Sequence, residues 1–377
     1  MTTNDAASAR FEALDACDAR TAPADPYDAL LARLRAGHVP FTVLWELTHA
    51  CNLRCVMCYN VPQPEPELTT AERLAVLEQF AAAGTLRLTL TGGEPLLRRD
   101  FFAIATRARE LGCALDLKTN ATLITPTIAD RIAALDPVQV DISLLGATPA
   151  TSDAIMGGRD TLPAILQGVR LLRDRRVRVK LNTLLLDWNL AERQAMFDMA
   201  RDLGVYCEQT FKISPSDAGA DIASTRQLSM DQMIETLMAD PTPYTPLSPT
   251  ADRRTCQVGL ASCLISPYGI VYPCIELRIP AGDLRRQRFS EVWADAAILR
   301  ELRSSHFFGN LTDCRTCPLS AYCEGRCAGL AWKESGDPYA GHWLACRHAQ
   351  ARFAQQHPCR PIPNTPFQTR HRERSSA

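Results

Sequence analysis

Apolar residues along this chain arrive in two rhythms. Short runs, TVLWELT (42–48), LRLTL (86–90), ALDLKT (114–119), VQVDISL (138–144), VRVKLNTLLL (177–186) and VYCEQTF (205–211), have the length and composition of strands. Between them lie stretches whose apolar residues recur three and four apart. Thr69–Ala83 puts Leu74, Leu77 and Phe80 on one helical face, with Thr69 or Thr70 placed to cap it. Asp100–Leu111 reads as a helix capped by Asp100, and Thr125–Ala134, Leu162–Arg173 and Leu190–Leu203 read as helices too. Strand and helix thus alternate six times between residues 42 and 211, which predicts an α/β fold of parallel strands joined by right-handed crossovers. An open six-unit barrel fits this count better than a closed eight-unit one, and a doubly wound sheet is the alternative the pattern leaves open. Nearly every polar motif falls just after a strand, the end at which such barrels carry their chemistry.

The flanks divide the chain further. Residues 1–40 form an N-terminal extension with one helical stretch near Tyr27–Arg35, too short for a substantial core. The barrel is expected over 41–240. PTPYTPLS within 241–255 reads as a linker, a cysteine-rich region spans 256–353, and the polar, proline-rich tail 354–377 is expected to be disordered. Composition is that of an ordinary globular protein, 46% hydrophobic and 22% charged. A net charge of −1 gives no field favouring nucleic acid or an anionic membrane. No apolar run is long enough to span a bilayer, and the polar N-terminus lacks signal-peptide character, so a cytoplasmic location is expected.

The fifteen cysteines change the picture, because a reducing compartment disfavours structural disulfides and clustered thiols there bind metal. Eleven of them are grouped: Cys51, Cys55 and Cys58; Cys256, Cys263 and Cys274; Cys314, Cys317, Cys323 and Cys327; and Cys346. Cys17, Cys113, Cys207 and Cys359 are scattered and read as ordinary buried or surface thiols. The first group, CNLRCVMCYN (51–60), holds three thiols where a [4Fe–4S] cube needs four ligands. One iron would be left open, as catalytic zinc leaves a place for substrate. A zinc site completed by a distant ligand, His49 being the nearest candidate, is the competing reading.

ELTHACNLRCVMCYN closely resembles the cluster loop of radical S-adenosylmethionine (SAM) enzymes. The resemblance implies a partial, TIM-like (β/α)6 barrel. It also implies that the open iron on Cys51, Cys55 and Cys58 chelates the methionine moiety of SAM. Reductive cleavage then gives a 5′-deoxyadenosyl radical, which abstracts hydrogen from a substrate. Tyr59 would lie against the adenine. LTLTGGEPLL (88–97) resembles the second family motif, with Gly92 and Gly93 allowing close backbone approach and Glu94 accepting from the methionine ammonium. LKTNATLI (117–124) brings Asn120 near the site, and DISLLGATP (141–149) offers Ser143 to ribose or carboxylate. Lys180, Asn182 and Gln209 on the fifth and sixth strands are further candidates, against the bland reading of strand-end residues satisfied locally. Where many relatives have arginine, AIMGGRD (154–160) places Met156, leaving Arg159 or Lys180 to neutralise the methionine carboxylate.

The later cysteines, C-x2-C-x5-C-x3-C at 314–327 preceded by Cys256-x12-Gly269-x4-Cys274, resemble the SPASM extension of the same superfamily, a small α+β domain with two auxiliary [4Fe–4S] clusters. Carried over, Cys256, Cys263, Cys274 and Cys327 hold one cube, and Cys314, Cys317, Cys323 and Cys346 the other. Glu276, near Cys274, reads as an exposed carboxylate or a proton acceptor. The SPASM branch implies a peptide or protein substrate, a ribosomally made peptide receiving a thioether, carbon–carbon or other oxidative modification. A separate leader-peptide-binding protein and a flavodoxin- or ferredoxin-type reductant are the implied partners. Small-molecule or cofactor biosynthesis and formylglycine formation in a sulfatase are the alternatives, and a non-catalytic metal scaffold or electron carrier is the opposing class.

Overall fold

The computed structural model describes residues 25–214, 216, 226–239, 245–248, 250–323 and 326–366. The chain forms two compact units, one of residues 39–229 and 259–302, the other of residues 1–38, 230–258 and 303–377. Residues 1–24 of the expected N-terminal extension, with Cys17, residues 241–244 and 249 of the expected linker, and 367–377 of the expected tail lie outside the described residues.

The first unit is built on one nine-stranded sheet. Its elements run β1 (Thr42–Glu46), α2 (Thr70–Ala82), β2 (Arg87–Thr91), α3 (Phe101–Glu110), β3 (Ala114–Thr119), α4 (Pro126–Ala134), β4 (Gln139–Ser143), α5 (Pro149–Met156), α6 (Thr161–Asp174), β5 (Val179–Leu184), α7 (Arg193–Asp202) and β6 (Tyr206–Thr210). β7 (Ser262–Ile265), β8 (Ile270–Tyr272) and β9 (Gly282–Asp283) follow in the same unit. Strand order is β6-β5-β4-β3-β2-β1-β7-β8-β9, with β1 to β6 all parallel. The six repeats are therefore the open parallel barrel anticipated. β7 also pairs parallel with β1, Thr42 opposite Ser262, and β8 and β9 return antiparallel. Within the cysteine-rich region, these three short strands continue the barrel sheet.

Local chemistry sets most element ends. Thr69 and Glu72 form a reciprocal capping box on α2. Thr125 caps α4, and Thr148 followed by Pro149 starts α5. Asp100 departs from expectation: it makes no cap bond to α3, its carboxylate being taken by Arg98 at 2.8 and 2.7 Å and by Thr70 at 2.6 Å. Register gives the sheet two unlike faces. Val43, Trp45, Leu88, Leu90, Leu115, Leu117, Val140, Ile142 and Leu181 share the buried helix-covered face, where Trp45 meets Phe80 of α2 edge-on at 5.4 Å. The opposite face is polar and ion-paired. Arg87 binds Asp116 at 2.6 Å, Lys118 binds Asp141 at 2.7 Å, and Lys180 bridges Asp141 at 3.9 Å and Glu208 at 2.7 Å.

The second unit contains α1 (Pro26–Ala36), α8 (Met230–Met238), α11 (Ala328–Ser335) and α12 (Trp343–Gln356); α9 (Phe289–Asp295) belongs to the sheet unit and α10 (Ala297–Ser305) crosses the division. Gln355 of α12 donates to the Leu237 carbonyl of α8 at 3.2 Å. Residues 354–366 correct the expectation of a disordered tail: α12 continues to Gln356, Gln350 donates to the Pro363 carbonyl at 3.1 Å, and Thr365 is buried.

Candidate active site

The loop after β1 carries Cys51 and Cys55, half-buried, and Cys58, exposed. It is fixed chiefly through its backbone. A short turn joins Cys58 N–H to the Cys55 carbonyl at 3.1 Å. The C-terminal turn of α5 supplies carbonyls that a helix end leaves unpaired: Met156 accepts from Arg54 N–H at 3.1 Å and Ile155 from Val56 N–H at 2.9 Å. Gly157 ends α5 in the left-handed region at φ 62°, and a Cβ there would lie 2.2 Å from the Arg54 carbonyl oxygen.

On the other side, the turn after β2 closes onto residues 48–50. Gly93 N–H donates to the Thr48 carbonyl at 2.7 Å and Glu94 N–H to the Ala50 carbonyl at 2.9 Å. A Cβ on Gly92 would sit 2.2 Å from Thr48 O and one on Gly93 2.3 Å from Ala50 O, so only glycine permits this approach. Asn60 donates to the Gly92 carbonyl at 2.9 Å, while its own buried Oδ1 has no hydrogen-bond partner.

Asn120 reaches the loop as anticipated, its amide donating to Asn52 at 3.0 Å and lying 3.9 Å from Cys51 Sγ. Glu94 differs from expectation. Its carboxylate is fully buried and already accepts from Leu96 N–H at 3.0 Å, Asn120 N–H at 2.8 Å and the Thr119 hydroxyl at 2.8 Å. It braces β2 against β3, and burial pushes its carboxyl up to about 7 against the pull of those donors. Ser143 and Asn182 lie opposite each other on the polar face, where β4 meets β5. Lys180 is on that face but engaged with Glu208 and Asp141. Gln209 is a correction. It exchanges hydrogen bonds with Arg193 at the start of α7, at 2.9 and 3.4 Å, and so faces the helices, because strand alternation turns its neighbour Glu208 to the polar face. Met156 is fully buried and Arg159 exposed.

Tyr59 is half-buried, with the Arg278 guanidinium carbon 5.4 Å from its ring centre. Arg278 forms a bidentate pair with the fully buried Glu46, at 2.6 and 3.0 Å, and His49 Nε2 lies 3.2 Å from the same carboxylate. These contacts hold Glu46 below the usual carboxylate range despite its burial. Sequence reasoning missed Glu46 and Arg278. Glu276 is not exposed: it is buried, bonded to Ser214 at 2.5 Å and Lys212 at 3.0 Å.

The second unit holds a cavity lined by Cys314, Cys317, Cys323 and Cys346, the four thiols grouped by resemblance. Of the other proposed set, Cys256 and Cys327 belong to this unit and Cys263 and Cys274 to the sheet unit. Burial pushes the Cys55, Cys323 and Cys346 thiols up to about 12, with neighbouring thiols adding to the effect. Such donors ionise when a metal supplies the compensating charge, which fits iron–sulfur ligation. Among the described residues, no three His, Cys, Asp or Glu side chains form a group suited to a single metal ion. The orphaned Asn60 oxygen beside the glycine turn likewise suits a cradle for a polar ligand.

A parallel barrel with a three-thiol loop after its first strand defines a class, and the comparisons agree with it. The radical SAM superfamily model matches residues 45–200, and that of the SPASM iron–sulfur cluster-binding domain matches residues 256–318. The chain belongs to the radical SAM superfamily and carries a SPASM domain, a combination whose cofactors are SAM, the [4Fe–4S] cluster that binds it, and auxiliary clusters. It is 30% identical over 358 residues to the pre-heme d1 synthase of Dinoroseobacter shibae, covering 82% of this chain and 86% of that one. It is 29% identical over 324 residues to the mycofactocin maturase MftC of Mycobacterium tuberculosis, covering 80% and 82%. Among solved structures, Streptococcus suis SuiB bound to S-adenosylmethionine shares the fold, with a TM-score of 0.64, 17% identity and coverage of 87% and 84%. No helix among the described residues is long and apolar enough to cross a membrane.

Proposed function

We propose that this radical SAM enzyme binds SAM at the loop of Cys51, Cys55 and Cys58, and directs the resulting 5′-deoxyadenosyl radical at a peptide. The observation that carries the first part is the loop itself. Three thiols sit on one backbone-clamped segment beside the Gly92–Glu94 turn, with Asn120 within reach of Cys51. The bound cluster supplies the electron that splits the sulfonium. The protein's share is positional: carbonyls of the glycine turn and the free Asn60 oxygen offer acceptors for the methionine ammonium, a role the Glu94 carboxylate is too engaged to fill. Tyr59 is retained as the adenine neighbour, and Ser143 and Asn182 as contacts to the remaining polar atoms.

The peptide reading is supported by the polar face of the sheet. Arg87, Lys118 and Lys180 are each matched there by a carboxylate, Asp116, Asp141 or Glu208. A face with its charges paired suits a dipolar chain such as a peptide better than a polycarboxylate needing surplus cations. The name of the maturase relative points the same way, while that of the pre-heme d1 synthase supports a second reading, a tetrapyrrole substrate.

Anaerobically reconstituted, reduced protein should convert SAM to 5′-deoxyadenosine, and Cys55→Ala should not. Deuterium transfer into 5′-deoxyadenosine from a perdeuterated candidate peptide, absent with a deuterated porphyrin precursor, supports the peptide reading. The reverse pattern replaces it with the tetrapyrrole, and no deoxyadenosine at all ends the SAM assignment.

A further inference from the structure

The four-cysteine cavity of the second unit is lined by more than thiols. Phe308, Ala345 and Ala349 supply apolar surface, and polar side chains border it as well, among them Arg253, Arg326 and Thr365. Arg326 is 3% exposed. Its guanidinium donates to the carbonyls of Ala340 at 2.8 Å and Pro338 at 2.8 Å, lies 3.2 Å from His306 Nε2, and borders the same cavity as Cys314. Among the described residues, none of these partners is a carboxylate. Thr365 comes from the segment beyond α12, is 1% exposed, and its hydroxyl hydrogen-bonds Cys346. The tail reaches this place because Gln350 holds the Pro363 carbonyl at 3.1 Å.

A buried cation without an anionic partner is costly, and an anionic cluster in the cavity would provide that partner. The rest follows from charge. Reduction adds one negative charge to a thiolate-ligated cube, so a neighbouring cation, or a donor aimed at a ligand sulfur, favours the reduced form more than the oxidised form. A dry, apolar lining strengthens both effects. We infer that Arg326 and Thr365 are positioning residues that raise the reduction potential of the auxiliary cluster held by Cys314, Cys317, Cys323 and Cys346, with the C-terminal segment acting as a strap that carries one of the donors. The inference rests on the iron–sulfur reading of these cysteines and is independent of the substrate.

The test uses the full chain with Cys51, Cys55 and Cys58 replaced by alanine, so that only auxiliary clusters remain. Iron and acid-labile sulfide are measured first, then the midpoint potentials by EPR-monitored redox titration. In this background Thr365→Val should move one midpoint to more negative potential, by roughly a tenfold change in the one-electron equilibrium constant, about 59 mV. Thr365→Ser, which keeps the hydroxyl, should restore the parent value. Arg326→Lys should give a smaller negative shift than Arg326→Leu. Unmoved midpoints at parent iron content, or a positive shift, would overturn the tuning role. So would loss of iron in Thr365→Val, which would make the strap a retaining clamp instead. A parent protein lacking the iron of two cubes would remove the cluster reading itself, a failure visible before any titration.

Discussion

Gly157 offers a direct measure of how far the cysteine loop depends on the end of α5. Replacing it with alanine imposes two separable penalties. The first is conformational: its φ is 62°, and an L-residue there costs about 1–2 kcal/mol. The second is steric: the new Cβ would lie 2.2 Å from the Arg54 carbonyl oxygen, where contact requires more than 3 Å, so the loop between Cys51 and Cys55 must move by about 1 Å. Gly112, after α3 in the same unit, separates the two. Its φ is 85°, but a Cβ there meets nothing within 4 Å. Gly112→Ala should therefore lower the melting temperature of the apoprotein by a few degrees and leave SAM cleavage intact. Gly157→Ala should show a larger thermal shift and also lose roughly 10²-fold in deoxyadenosine formation, the scale associated with ångström misplacement of reacting groups. Iron content and the EPR line shape of the SAM-bound cluster report the same displacement. If both variants melt alike and cleave SAM at the parental rate, α5 does not hold the loop, and the geometric account of the site is wrong.

Three further outcomes follow from the polar contacts. Glu94 is held near 7 in the folded protein, above its unfolded value, so the folded state binds the extra proton and stability falls as pH rises from about 4.5 through 7. Relative to Glu94→Gln, the parent apoprotein should lose about 2.5 kcal/mol between pH 5 and pH 8 in urea unfolding, and a pH-independent difference would contradict the assignment. Arg278→Met leaves Glu46 buried with only His49 beside it and should destabilise the apoprotein by about 3–5 kcal/mol, most of which Glu46→Gln in the same chain should recover; equal losses in the single and double variants would show that the ion pair is not the cause. Arg193→Met should alter thermal stability by about 1 kcal/mol or less without changing the KM for SAM, since Gln209 and its partner face the helices; a raised KM would return Gln209 to the site.

The local periodicities made the six parallel strands and most of the helices legible, because each is decided by residues within one segment. What was not legible depends on partners far away. Ser262 pairs with Thr42, and nothing within SCLI distinguishes a strand that joins β1 from one that begins a separate domain. Glu46 and Arg278 are likewise meaningless until the sheet extension brings them together. Helix α5 escaped for another reason: PATSDAIM is eight residues long and has too few apolar positions for a helical period to emerge. Glu94 was found by motif but its protein partners were not, since a sequence shows a carboxylate's charge and not the donors that will occupy it. Gln209 sits in YCEQT, where neither parity is clearly apolar, so the alternation that turns it away could be read only after pairing with β5 fixed the face.

The same contacts explain why the candidate site tolerates so little side-chain investment. The cysteine loop is gripped at residues 48–50 by the glycine turn, at Arg54 and Val56 by α5, and at Cys51 and Asn52 by Asn120. All but the last of these are backbone-to-backbone contacts, and two depend on the absence of a Cβ in the partner. Glycines more than thirty residues away therefore shape the loop alongside its own side chains, of which Arg54 donates to the Cys51 and Leu53 carbonyls at 2.9 Å. Val56, half-buried between the second and third thiols, can vary with little effect on where the sulfurs lie, since its backbone N–H is held by the Ile155 carbonyl at 2.9 Å. A loop held this way by its backbone leaves its three thiols available as ligands, as a cluster whose fourth iron is open to SAM requires.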